Sequence, residues 1–189
     1  MNRRDLIIET ATRLFSEQGY TATSVRQIAE LVGCTEAALY YHFKDGKRAL
    51  LQAVLECEMP KLTSIINGSE NATSLQAAMK SIAMQMDVVG PERMAKMRWI
   101  LGEFHRLSEE EKALFHESHL RMHDIISQVL RPFVDSDEYA SRLAWIFFAA
   151  GFGYGLLFWN LEMQDVANFS LHEFMETLIP LLVSQQPTP

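Results

Sequence analysis

Between residues 23 and 47 the chain gathers the hydroxyls of Thr23, Ser24 and Thr35, the rings of Tyr40, Tyr41 and His42, and the ammonium groups of Lys44 and Lys47. Hydroxyls, lysines and the free N–H groups at helix starts are the donors that hold phosphate. The run reads TSVRQIAELVGCTEAALYYHFKDGK. Val25, Ile28, Ala29 and Val32 share one face of a helix that Thr23 or Ser24 can cap and Gly33 stops. Cys34 fills the turn, and Thr35 caps a second, short helix that packs through Leu39 and Phe43. Ala37 and Ala38 are small, so the start of this helix can approach another surface closely. A helix, a tight glycine turn and a second helix form the unit that lays its second helix in the major groove. Glu36 stands where it can accept from a cytosine amino group.

Other chemistry is sparse. His116, His119 and His123 share a helix face, and the last two could chelate a divalent cation. No cysteine or carboxylate is evidently placed to complete a site, so no metal is expected, and metal sensing stays an alternative. Neither a glycine-rich phosphate loop, a nucleophile elbow nor a paired metal motif occurs. The expectation is no enzyme and no cofactor. Two cysteines, Cys34 and Cys57, make no disulfide framework and suit a reducing cytosol. Cys34 reads as a small buried hydrophobe. The start of the chain leads into an amphipathic pattern and not into a signal peptide, so the location expected is cytoplasmic.

The net charge is −7, against the basic balance expected of a DNA binder. Residues 1–50 nevertheless hold seven Lys and Arg against six acids, leaving the acidic excess to the rest. The field at the contacting face is what matters.

The elements that must position these groups are all helical; no sustained strand alternation appears. Helices are expected at about 3–18, 24–32 and 35–43, then from 46 onward. Pro60 should kink or end that fourth helix. Asn67 to Thr73 reads as a linker. Further helices follow at about 74–89, 91–107, 109–131, 137–161 and 171–184, with Gly90-Pro91 separating the first two and Pro91 at a first helical position. Ser108 with Glu111 and Ser170 with Glu173 form capping boxes. The fold class is all-α: an N-terminal three-helix helix-turn-helix domain, residues 1–50, and a C-terminal helical ligand-binding and dimerisation domain, residues 51–189.

Residues 74–134 are rich in Met, Trp and Phe, which suits a cavity for an apolar ligand but equally a packed helical core. Leu143 to Leu161 is uncharged and long enough to span a membrane. Its three glycines and Asn160 also fit a buried or interfacial helix. No membrane is expected, and a membrane-associated helical protein remains the lesser alternative. Along the last two helices Trp145, Phe148, Phe152, Leu156 and Trp159 recur in steps of three and four, as do Phe174 and Leu178, in the manner of an interface.

The stretch from Thr23 to Lys47, with Ala11, Phe15, Gly19 and Tyr20 before it, resembles the DNA-binding domain of the TetR family. The LYYHFK run following IAELVG is the specific signal, and the resemblance covers about residues 3–55. It implies phosphate contacts from Thr23 and Ser24, and base edges facing Thr35, Glu36, Ala37 and Ala38. It also implies backbone or neighbouring-base contacts from Tyr40, Tyr41, His42, Lys44 and Lys47. Glu36, Cys34 and Asp45-Gly46 depart from the usual pattern. The resemblance further implies a small-molecule effector in the second half, for which Met86, Met97, Trp99, Phe104, Phe115 and Met122 are the candidates. It implies a homodimer through a four-helix bundle of the last two helices, binding double-stranded DNA at a palindromic operator. The function implied is a repressor released by an apolar effector, with an activator on the same fold as the alternative.

Overall fold

A computed structural model describes residues 2–66 and 68–184, with the side chains of 58–63, 65 and 70 outside the description. The helices are α1 (Arg3–Gln18), α2 (Val25–Val32), α3 (Glu36–His42), α4 (Lys47–Thr63), α5 (Leu75–Glu103), α6 (Glu109–Leu130), α7 (Asp137–Tyr154) and α8 (Leu171–Ser184). A π-helical turn, Gly155–Asn160, continues α7. No strand occurs among the described residues.

The ends of these helices follow from single side chains. Asn2 and Asp5 close a capping box on α1, and Ser24 and Gln27 close one on α2. Thr35 caps α3 by accepting from the Ala38 N–H at 3.2 Å. Gly33 ends α2 at φ +72°, a left-handed conformation that costs glycine least. The capping boxes at Ser108–Glu111 and Ser170–Glu173 form as expected.

Two compact units emerge. The first holds residues 1–59 and 95–118, the second 60–94 and 119–189. The first therefore takes in a segment beyond residue 50. Its core is Ile7, Ala11 and Phe15 of α1, Ile28 and Ala29 of α2, Leu39 and Phe43, then Leu50, Leu51 and Val54 of α4. Trp99, Ile100 and Leu107 complete it. The second unit is built on Met79 and Ile82, Met122 and Ile126, Leu143 and Phe147, and Met175 and Ile179.

Two proline expectations change. Gly90-Pro91 does not separate two helices: α5 runs unbroken for 29 residues with Pro91 inside it. An internal proline costs about 3 kcal/mol through its lost N–H and ring clash. Here helix burial outweighs that, with Met79 and Ile82 before Pro91 and Met94, Met97 and Ile100 after it nearly all enclosed. Gly90 serves a packing purpose instead, since a Cβ there would sit 2.4 Å from the Trp159 ring. Nor does α4 end at Pro60; its helical backbone continues to Thr63. The Pro60 side chain, and with it the expected kink, lies outside the described residues.

The stretch Asp137–Asn160 is apolar and long enough to cross a membrane by composition, but such a helix is equally the core helix of a globular unit. Phe147 at 0% exposure and Leu143 at 2% place one side of it in the second unit's interior.

Candidate nucleic-acid interface and ligand cavity

The first unit presents α3 by holding one side of it and leaving the other open. Leu39 and Phe43 are buried, while Thr35, Glu36, Ala37, Tyr40, Tyr41, His42 and Lys44 are exposed and Ala38 is half-buried. Tyr41 is 81% exposed, which is unusual for so large a ring. Its ring meets His42 edge-on at 5.3 Å. Tyr40 lies against the turn into α4, where Gly46 at φ +58° leaves room; a Cβ at Gly46 would come within 3.0 Å of the Tyr40 ring. Ser24 is exposed at the head of α2. The exposed side chains of the helix-turn-helix thus carry hydroxyl, aromatic and cationic groups, with the Glu36 carboxylate among them.

Two of the expected DNA contacts are placed differently. Thr23 is 2% exposed. Its hydroxyl donates to the Gly19 carbonyl at 2.7 Å and accepts from the Gln18 amide at 3.1 Å, sealing the link between α1 and α2. The Lys47 ammonium is turned inward. It donates to the carbonyls of Tyr20 (2.9 Å), Thr21 (3.3 Å) and Thr23 (3.0 Å). It also sits 4.4 Å from the centroid of the Tyr20 ring. Burial holds its pKa below the usual lysine value, against the pull of Glu111 and Glu103. Lys47 thus ties down the α1–α2 link rather than reaching outward for phosphate.

Sequence reasoning missed the rest of this fastening. Glu103 accepts from the Thr21 N–H at 3.1 Å and lies so close to Gly19 that a Cβ there would meet its carboxylate at 2.9 Å. The Tyr20 hydroxyl donates to Glu111. Burial, and then that bond, push the Tyr20 pKa far above its ordinary value. Trp99 closes an aromatic trio with Phe15 (5.4 Å) and Tyr20 (6.0 Å). Contacts of this kind join positions some 80 to 90 residues apart, and no local pattern announces them.

The six effector candidates divide. Met86 and Met122 line a cavity inside the second unit. Met97, Trp99, Phe104 and Phe115 instead belong to the core of the first unit. A composition signal spread over 74–134 could not separate the two groups, because both need flexible and aromatic apolar side chains. The cavity is completed by Val89, Gly90, Arg93 and Met94 of α5, by Ile126 of α6, by Phe148, Gly151 and Phe152 of α7, and by Trp159.

Phe148, Phe152 and Trp159, whose spacing suggests an interface, stand in the cavity wall. A helix that is apolar all round offers no sign of which side faces in. Trp145 remains 43% exposed, stacked on His123 at 4.4 Å. Leu156, Phe174 and Leu178 are half-buried. The α8 helix turns Leu171, Met175 and Ile179 inward and leaves Leu181 60% exposed on the adjacent stripe.

The three histidines do not converge. The His116 ring meets Phe104 at 5.6 Å, His119 meets Phe148 at 5.7 Å, and His123 bonds the Ser141 carbonyl at 3.1 Å. Among the described residues no group of three potential metal ligands occurs.

A helix-turn-helix in one unit and an apolar cavity in a second helical unit are together the make-up of a class of helical DNA-binding regulators. Residues 7–54 match the family described as bacterial regulatory proteins, tetR family. That family comprises DNA-binding transcriptional regulators and not enzymes. The chain is 38% identical over 71 residues to IcaR of Staphylococcus aureus, a negative transcriptional regulator of a biofilm operon, covering 38% of each protein. It therefore spans well under half the length of this relative. LmrA of Bacillus subtilis, a helix-turn-helix transcriptional regulator, is 29% identical over 133 residues, 68% of this chain and 71% of LmrA. The fold matches a TetR transcriptional regulator from Legionella pneumophila at a TM-score of 0.70 and 18% identity, over 99% of this chain and 98% of that one.

Proposed function

We propose that this chain is a cytoplasmic, homodimeric, sequence-specific DNA-binding repressor released from its operator by a small, largely apolar effector. The observation that carries the reading is α3. Its buried side is reduced to Leu39, and all its polar and aromatic groups are displayed around an accessible start capped by Thr35. Such a helix fits the major groove, with Thr35, Glu36 and Ala37 toward base edges and Ser24, Tyr41 and Lys44 toward the backbone. Repression is favoured because IcaR is a negative regulator. The cavity in the second unit is walled almost wholly by apolar side chains, the kind of lining that suits a small apolar ligand. The dimer rests on the exposed apolar residues Trp145, Ile146, Leu157 and Leu181 of α7, its π-helical turn and α8, which a second copy would cover.

The test is selection of bound sequences from randomised duplexes with the full chain. A palindrome with half-site centres about one helical turn or a multiple apart is expected. Thr35→Ala and Glu36→Gln should change the selected bases while leaving the salt dependence alone. Recovery of a single unpaired half-site, or no enrichment at all, would overturn the reading. A reporter placed behind the selected site should rise when the gene is deleted; a fall would make the protein an activator.

A further inference from the structure

We propose that Arg4 of α1 is a DNA-backbone contact: its guanidinium, held over the Phe43 ring at the end of α3, takes a phosphate next to the one that Lys44 meets. The inference rests on the DNA-binding reading above and deepens it by adding a contact from a helix outside the helix-turn-helix.

The charge of the first unit calls for such a group. A protein of net charge −7 holds DNA through the few cations it turns outward. Of the seven Lys and Arg in residues 1–50, Lys47 gives its ammonium to backbone carbonyls. Arg26 is bound to Glu30 at 2.8 Å, and Arg48 to Asp45 at 3.2 Å. That leaves Arg3, Arg4, Arg13 and Lys44, all exposed.

Position selects Arg4 among the three arginines. Its guanidinium carbon lies 5.4 Å from the centroid of the Phe43 ring. Phe43 is the C-terminal cap of α3 and is 3% exposed, while His42 and Lys44 on either side of it are exposed. The His42 ring stands 6.5 Å from the same ring. Arg4 is thereby brought beside His42 and Lys44, where a reading helix leaves the groove and meets the backbone. A guanidinium laid on an aromatic face keeps its N–H donors at the ring edge for phosphate, and it loses little freedom on binding. The acids nearest to it in sequence and beside Lys44 are committed: Asp5 accepts from the Asn2 N–H at 3.3 Å, and Asp45 holds Arg48. Arg4 also occupies the first turn of α1, where the positive end of the helix dipole disfavours a cation. The helix gains nothing from a cation there, whereas a phosphate does. Around α1, Arg3 is turned roughly 100° from Arg4 and Arg13 roughly 180°.

Binding of the full chain to the selected operator duplex and to a random-sequence duplex of equal length, over a series of salt concentrations, tests the idea. Arg4→Met keeps an unbranched apolar stem over Phe43 and removes the charge. It should lower the salt slope by about one unit for each half-site occupied, and weaken binding about tenfold per half-site at about 0.1 M salt, on both duplexes alike. Arg4→Lys should keep most of the slope, and Arg13→Ala all of it. Arg4→Gln carries the test if urea unfolding shows Arg4→Met to be destabilised. A wild-type slope in a folded Arg4→Met or Arg4→Gln overturns the inference and leaves Arg4 as a cover for Phe43. An equal drop in Arg13→Ala overturns it too, since the effect would then be one of total charge. A loss confined to the operator duplex overturns the backbone contact in favour of base reading. If the wild-type chain binds neither duplex at low salt, the DNA-binding reading falls with it, whereas wild-type binding with an unchanged slope in the variants sinks this inference alone.

Discussion

Lys47 and Lys44 lie three positions apart and do different work. Lys44 is exposed beside the end of α3, whereas Lys47 gives its ammonium to three carbonyls of the α1–α2 link. Lys44→Ala should weaken binding to all DNA sequences and reduce the salt slope of operator binding by about one unit. Lys47→Ala should instead strand carbonyls and lower stability by about 1–3 kcal/mol, measured by urea unfolding. At a temperature where the variant stays folded, its salt slope should match wild type. A slope reduced equally in both variants would return Lys47 to the phosphate. Residue types alone could not separate these two lysines, because identical side chains take opposite roles according to where Tyr20 and Thr23 bring their carbonyls.

Among the elements, α5 is the instructive case. Met86, Val89, Gly90, Arg93 and Met94 line the cavity, Met97, Trp99 and Ile100 belong to the first unit's core, and Pro91 falls among the cavity residues of the same helix. If Pro91 interrupts an otherwise continuous helix, Pro91→Ala should stabilise the protein by about 1–2 kcal/mol, the restored hydrogen bond exceeding the greater freedom of the unfolded chain. Were Pro91 the first residue of a separate helix, the same substitution would be neutral or mildly destabilising. The denaturation midpoint distinguishes the two. The helix starts, by contrast, were readable in advance at Ser24, Thr35, Ser108 and Ser170, because a cap is a contact between residues three apart.

At the scale of the whole molecule, apolar residues of α7 and its π-helical turn serve two ends. Phe148, Phe152 and Trp159 enclose the cavity, while Trp145, Ile146 and Leu157 are exposed. Ile146→Asp combined with Leu181→Asp should shift sedimentation from a dimer to a monomer and weaken operator binding, since a lone half-site contact loses its partner. Phe152→Ala should leave the sedimentation unchanged and alter ligand binding. Dissociation by Phe152→Ala, or a dimer that persists in the double variant, would contradict this division of the helix.

The amino-acid order by itself determined the all-helical class, the helix-turn-helix between Ser24 and Phe43, the exposed character of α3 and the presence of Met-rich apolar helices. Each depends on spacings of a few residues, over which side-chain pattern and backbone geometry are locked together. Only the tertiary structure decided that Thr23 and Lys47 face inward, that Trp99 packs on Phe15 while Met86 opens on a cavity, and that Gly90 is a seat for Trp159 and not a helix stop. Those outcomes depend on which distant helix arrives at a given face. An apolar side chain at helical spacing is compatible with a core, a cavity wall or an interface until its neighbour is in place.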